Sequence, residues 1–136
     1  MLDVVREYYG QVLSTSADLR TNACCTAEAP STTVVAALAR IHTEVNERYY
    51  GCGLLVPEAA RGLRLLDLGC GAGRDVYLLS QLVGESGEVV GVDVTAEQLA
   101  VASKHRDFHG KACGFSNTLF YQGFIEGEHR QSPGCI

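Results

Sequence analysis

Apolar positions change their spacing along this chain, and each change predicts a different element. Over residues 3–13 (DVVREYYGQVL) apolar and polar groups alternate at near-helical spacing behind Asp3, a residue suited to an N-cap. Residues 14–32 (STSADLRTNACCTAEAPST) are small and polar, lack any period, and read as a loop. Val34, Leu38, Ile41, Val45 and Tyr49 then recur on one helix face, so residues 33–50 predict a single helix, stopped by GCG at 51–53. Pro57 begins a short turn. LRLLDLG, 63–69, is a brief apolar run that predicts a buried parallel strand. Residues 72–83 set Val76, Leu79, Leu82 and Val83 on one side of another helix, and GESG makes a turn. EVVGVDV, 88–94, predicts a second strand that ends on an acid. Residues 95–108 predict a helix, with Thr95 and Gln98 spaced as a capping box. TLFYQG, 118–123, predicts a third strand. Alternating strands and helices are the order of an α/β fold, a parallel sheet with right-handed crossovers.

Composition narrows the partners. A net charge of −5 and the absence of a basic stripe with interleaved aromatics argue against nucleic acid. No stretch approaches the roughly 18 apolar residues of a membrane span. The first residues carry acids and no run of signal-peptide length. A cytoplasmic protein with no membrane partner is the expectation. Six cysteines, at 24, 25, 52, 70, 113 and 135, are then expected to stay mostly reduced. None is spaced as C-x-x-C, so a structural zinc site has no support, and a lone cysteine reads first as a small buried hydrophobe.

The most specific stretch is LLDLGCGAGRD, 65–75, with glycines at 69, 71 and 73 between a strand and a helix. An open α/β sheet binds its ligand there, at the carboxyl ends of its strands. The spacing departs from the dinucleotide fingerprint, since Arg74 stands where the third glycine belongs. Asp67, two residues before Gly69, is a poor neighbour for a pyrophosphate and a good one for an ammonium group. S-adenosylmethionine carries an ammonium and a sulfonium. Asp93 ends the second strand, where an acid accepts hydrogen bonds from ribose hydroxyls. Gly69, Cys70, Gly71, Gly73, Asp67 and Asp93 thus form a candidate cofactor site, with Cys70 packed in the turn rather than reactive.

REYYGQVL, TSADLRTNACCT, ARIHTEVNERYYGCG, the glycine-turn segment through GVDVTAEQL, and GFIEG follow in order from about residue 3 to about residue 127. Together they resemble the N-terminal half of an arsenite methyltransferase. The two YYG stretches and the cysteines carry the resemblance beyond methyltransferases in general. It implies an incomplete Rossmann-like S-adenosylmethionine methyltransferase fold, about three parallel strands with N-terminal helices. It implies transfer of methyl groups from S-adenosylmethionine to trivalent arsenic, supplied as arsenite or its thiol conjugates. Cys24 and Cys52 match the thiolates that hold arsenic, with Cys25 a possible third, and soft arsenic suits such ligands. A thiol reductant such as glutathione or thioredoxin is implied with them. Arg48, Tyr50, Val94, Ile125 and Glu126 match positions that line the cofactor. Three parts follow: 1–62 with helices and the cysteine loop, 63–127 for the cofactor, and a divergent tail at 128–136.

The tail EHRQSPGCI matches nothing in the family, whose later cysteines have no counterpart here. The expectation is therefore a truncated form with reduced or no activity. Its third strand would lie at an open edge with apolar surface exposed. Two other functions stay open: another small-molecule S-adenosylmethionine methyltransferase, and a non-catalytic thiol-based arsenic binder. Oligomeric state is left open by the sequence.

Overall fold

A computed structural model describes residues 30–51, 56–57 and 59–124. The helix expected at 3–13, the cysteine loop, Cys52, the GFIEG end and the tail lie outside them. Helix α1 spans Thr32–Ala39, and the Ser31 hydroxyl accepts from the Val34 N–H at 3.4 Å. The single helix expected over 33–50 is in fact two, with α2 at Thr43–Glu47. Long-range bonds cause the break. His42 is extended (φ −56°, ψ 138°), its N–H donates to His109 Nε2 at 3.1 Å, and its Nδ1 caps α2 by accepting from Glu44 N–H at 3.2 Å. Asn46 Nδ2 donates to the carbonyls of Leu38 and Ile41, at 3.4 and 3.3 Å, and so ties α2 back to the end of α1. The apolar face survives the break, with Val34, Ile41 and Val45 all buried.

Next come β1 (Arg64–Leu68), α3 (Arg74–Val83), β2 (Glu88–Asp93), α4 (Ala96–Lys104), α5 (Arg106–Cys113) and β3 (Thr118–Gln122). The three strands pair in the order β1-β2-β3, all parallel. The helix expected over 95–108 ends at Lys104, and α5 follows it after His105. Among the residues of α5 only His109 is buried, so no apolar stripe announced the helix. The capping box does not form as expected either, because the Thr95 side chain makes no capping bond. Asp93 Oδ1 instead accepts the Thr95 N–H, at 2.7 Å.

Both crossover helices cover one face of the sheet. Val76, Leu79 and Val83 of α3 and Leu99 of α4 pack with Val89, Cys70 and Ala60. A second cluster joins α1 and α2 to α3 and α4 through Val34, Ile41, Val45, Tyr77, Leu78 and Val101. The end of α3 is closed by a residue far along the chain: Asn117 Nδ2 donates to the carbonyls of Ser80 and Gly84, at 3.2 and 2.8 Å. Gly91, in the middle of β2, is glycine for lack of room. A Cβ there would come 2.8 Å from Cys70 Sγ, 2.9 Å from Val76 Cγ2 and 3.0 Å from Phe120 Cδ1. Gly91→Ala is expected to lower stability by about 2 kcal/mol through overpacking, read as a lower urea midpoint at unchanged slope.

β3 lies at one edge of the described sheet, as the sequence led one to expect. The buried-strand reading of 63–69 is corrected: β1 lies at the other edge and alternates between exposed and half-buried residues, with Leu66 and Leu68 53% and 52% exposed. Leu66 is in register with Val90 and Leu119, on the face that the crossover helices leave bare. Among the described residues no helix is long and apolar enough to cross a membrane.

Candidate functional site

The chain leaves β1 through three glycines with left-handed φ: Gly69 at 81°, Gly71 at 56° and Gly73 at 91°. The turn is tied to β2. The N–H groups of Gly69 and Cys70 both donate to the Val92 carbonyl, at 2.7 and 3.1 Å, and Gly71 N–H donates to Asp93 Oδ2 at 2.9 Å. A Cβ on Gly71 would meet nothing within 4 Å, so its φ is what asks for glycine and its outer side is open to a ligand. Gly73 meets the opposite condition. A Cβ there would lie 3.0 Å from Phe120 and 3.1 Å from the Ala102 Cβ, so glycine lets α3 start close against β3 and α4.

Cys70 turns its thiol into the core, where burial pushes its pKa up, helped by the nearby charges of Asp93 and Asp67. It is a neutral packed thiol, and only its backbone takes part in the turn. Asp67 sits half-buried near the end of β1, in register with Gly91. Burial, then the like charges of Asp75 and Asp93, push its carboxyl up to about 6. No hydrogen bond from the described residues offsets that shift. A carboxyl so placed is stabilised by a cation brought to it.

The structure gathers Asp67, Gly69, Gly71, Gly73 and Asp93 at one carboxyl edge. Val94 follows, half-buried, with its carbonyl accepting from Gln122 Nε2 at 3.1 Å. Arg48 and Tyr50 are half-buried beyond the end of α2. Cys24, Cys25, Cys52, Ile125 and Glu126 lie outside the described residues. One member of the region escaped the sequence reading. The Arg74 guanidinium carbon lies 3.2 Å from the centroid of the Tyr49 ring and joins the 48–51 segment to the turn. An arginine directly after the last glycine was the available signal.

A methyltransferase-domain family model matches residues 59–132, more than half of the chain. The chain belongs to the methyltransferase domain family. Over 93% of its length this methyltransferase domain is 52% identical to the arsenite methyltransferase of Aquipseudomonas alcaligenes, covering 36% of that protein. It is also 52% identical to the arsenite methyltransferase of Homo sapiens, over 90% of this chain and 33% of that one. It thus spans about a third of the length of the curated relatives it matches. Among solved structures it resembles the arsenic(III) S-adenosylmethionine methyltransferase of Chlamydomonas reinhardtii, with a TM-score of 0.69 and 49% identity over 71% of this chain and 33% of that one. Its three parallel strands and flanking helices are a partial Rossmann-like methyltransferase fold.

Away from the turn, His42, Glu44 and His105 bring three metal-type ligand atoms within 4.8 Å of one another. Their geometry is that of a clasp. The two imidazoles are stacked, 3.7 Å between centroids and 20° apart, so their in-plane lone pairs do not converge on one ion. Glu44 Oε2 lies 2.7 Å from His105 Nε2 and 3.1 Å from Lys104 Nζ, and these bonds hold its carboxyl below the ordinary range. His109 beneath it is neutral. Burial pushes it down to about 4, its Nδ1 bonds the His105 carbonyl at 2.7 Å, and its ring stacks on Tyr77.

Proposed function

We propose that this chain binds S-adenosylmethionine at the β1–α3 turn and serves arsenite methylation, with Cys24 and Cys52 as the arsenic thiolates. One observation carries the cofactor half: a half-buried Asp67 among like charges beside an open glycine backbone. An ammonium and a sulfonium bring the cations that such a carboxyl lacks. Asp93 uses one lone pair of each oxygen on backbone N–H groups and keeps the others for ribose hydroxyls. Arg48, Tyr50, Val94, Ile125 and Glu126 complete the proposed cofactor contacts.

The arsenic half is supported by the names of the relatives and by the chemistry of the cysteines. Thiolates from Cys24 and Cys52 hold soft trivalent arsenic and leave its lone pair free, with Cys25 or a small thiol as the third ligand. Bound S-adenosylmethionine supplies the electrophilic methyl group. Holding both reactants in line is the protein's main contribution. Arsenic is formally oxidised as it gains the methyl group, so a thiol reductant such as glutathione or thioredoxin is the matching partner.

The test is calorimetric titration of S-adenosylmethionine and of arsenite into the purified chain, each with and without the other. Binding of both is expected, with Cys24→Ser and Cys52→Ser each weakening arsenite by at least about tenfold, one thiolate's share. Arsenite affinity indifferent to both cysteines would favour another small-molecule methyltransferase. Arsenite binding without S-adenosylmethionine binding would favour a non-catalytic thiol binder.

A further inference from the structure

Tyr49 closes the apolar stripe read from the sequence, yet α2 stops at Glu47 and leaves it half-buried beyond the helix end. Its N–H donates to the Asn46 carbonyl at 3.2 Å. Its ring has two close neighbours. One is the Arg74 guanidinium, whose carbon stands 3.2 Å from the ring centroid. The other is the Gly51 backbone, where a Cβ would come 2.6 Å from the Tyr49 hydroxyl oxygen and 2.7 Å from its Cζ. Gly51 has no left-handed φ, so this contact is what asks for glycine there. Arg74 is itself fixed. Its Nε and Nη2 both reach Asp75 Oδ1, at 3.0 and 2.9 Å, and its side chain is only 17% exposed. In the chain Tyr49 stands between Arg48 and Tyr50, two of the proposed cofactor contacts.

We propose that Tyr49 is a positioning residue for the cofactor: its ring, seated on Arg74 and packed on Gly51, sets Arg48 and Tyr50 beside the glycine turn. The proposal rests on the function proposed above and deepens it with a residue that acts through its neighbours. The sign of an Arg74 effect separates positioning from charge. Arg74 balances Asp75 among the carboxyls of the turn. Losing that cation makes the turn more negative, which by charge alone draws a cationic ligand more tightly. Losing the seat of Tyr49 loosens the same ligand.

The experiment is calorimetric titration of S-adenosylmethionine into the full chain, with urea unfolding of each variant alongside. Arg74→Ala, Tyr49→Leu and Gly51→Ala are each expected to weaken binding about tenfold, the size of a largely desolvated cation–π contact. Gly51 is exposed, so its variant displaces the ring without opening the core. Tyr49→Phe keeps the aromatic face and stays within about threefold of wild type. The double variant Arg74→Ala with Tyr49→Leu is expected to bind no more weakly than either single one, because both remove one contact. Single losses that multiply to about a hundredfold in the double variant would overturn the proposal. So would tighter binding by Arg74→Ala, the outcome of charge alone. Wild-type affinity in all three single variants, with lower urea midpoints, would leave the stack purely structural and overturn the proposal while the functional reading stands. A wild-type chain that binds no S-adenosylmethionine would sink the functional reading itself, and this proposal with it.

Discussion

Asp93→Ala is expected to weaken S-adenosylmethionine by at least about a hundredfold, equivalent to roughly 2.7 kcal/mol. The wild-type carboxylate receives Gly71 N–H on Oδ2 at 2.9 Å and Thr95 N–H on Oδ1 at 2.7 Å. Hydrogen bonds to a charged group each contribute about 1.5–3 kcal/mol, and their loss strands two donors. One donor belongs to the turn that a ligand approaches, and the other opens α4. The variant therefore loses the proposed ribose acceptor and also the brace under the glycine backbone. Asp93→Asn separates these effects. Its amide oxygen serves one donor, while its NH₂ group faces the other donor and repels it. An intermediate affinity is expected for asparagine, with a melting temperature between those of wild type and alanine. Calorimetry that finds Asp93→Ala binding as tightly as wild type would remove Asp93 from the cofactor site.

The same residue shows what a sequence reveals and what it hides. Its place after β2 was legible because a strand that ends on an acid is a local pattern. Its bond to Gly71 was not, since Gly71 lies 22 residues away and is reached only once β1 and β2 pair. The strands themselves were legible from their apolar runs. Local pattern failed wherever distant residues decided. The break before α2 and the break at His105 both come from the stacked His42–His105 pair, with Glu44 and His109 around it, contacts across 61 to 67 residues. The exposure of Leu66 and Leu68 depends on strand order, which an apolar run does not encode. In the candidate site, the glycines and both acids were legible from type and spacing. Cys24 and Cys52 gained a role only by resemblance, because no period or ligand spacing singles them out. The Arg74–Tyr49 stack joins residues 25 apart in sequence, and nothing local at either position required it.

Affinity for S-adenosylmethionine is expected to fall about tenfold for each pH unit below about 6, and to level off above it. Asp67 sets this dependence. Its carboxyl is pushed from an ordinary 3.8 up to about 6, first by burial and then by Asp75 and Asp93. In the free protein a raised carboxyl pKa favours the protonated form. Its stabilising effect is therefore fully present below about 3.8 and is lost as pH rises through about 6. A cation bound beside it reverses the preference and pulls the pKa back down. Binding below pH 6 must then expel a proton, and that proton is the direct readout. At pH 5.5 the calorimetric enthalpy is expected to vary with the ionisation enthalpy of the buffer, showing proton release on binding; near pH 7, above the Asp67 titration and below that of an α-amino group at about 7.7–8.0, it is expected to vary far less. Asp67→Asn removes both the titration and the charge. Its affinity is expected to be low and nearly flat between pH 5 and 8, approaching that of wild type only at the acid end, where wild-type Asp67 is itself neutral. A wild-type affinity that is flat across this range, or a pH profile that survives in Asp67→Asn, would show that the ligand's cation is paired elsewhere.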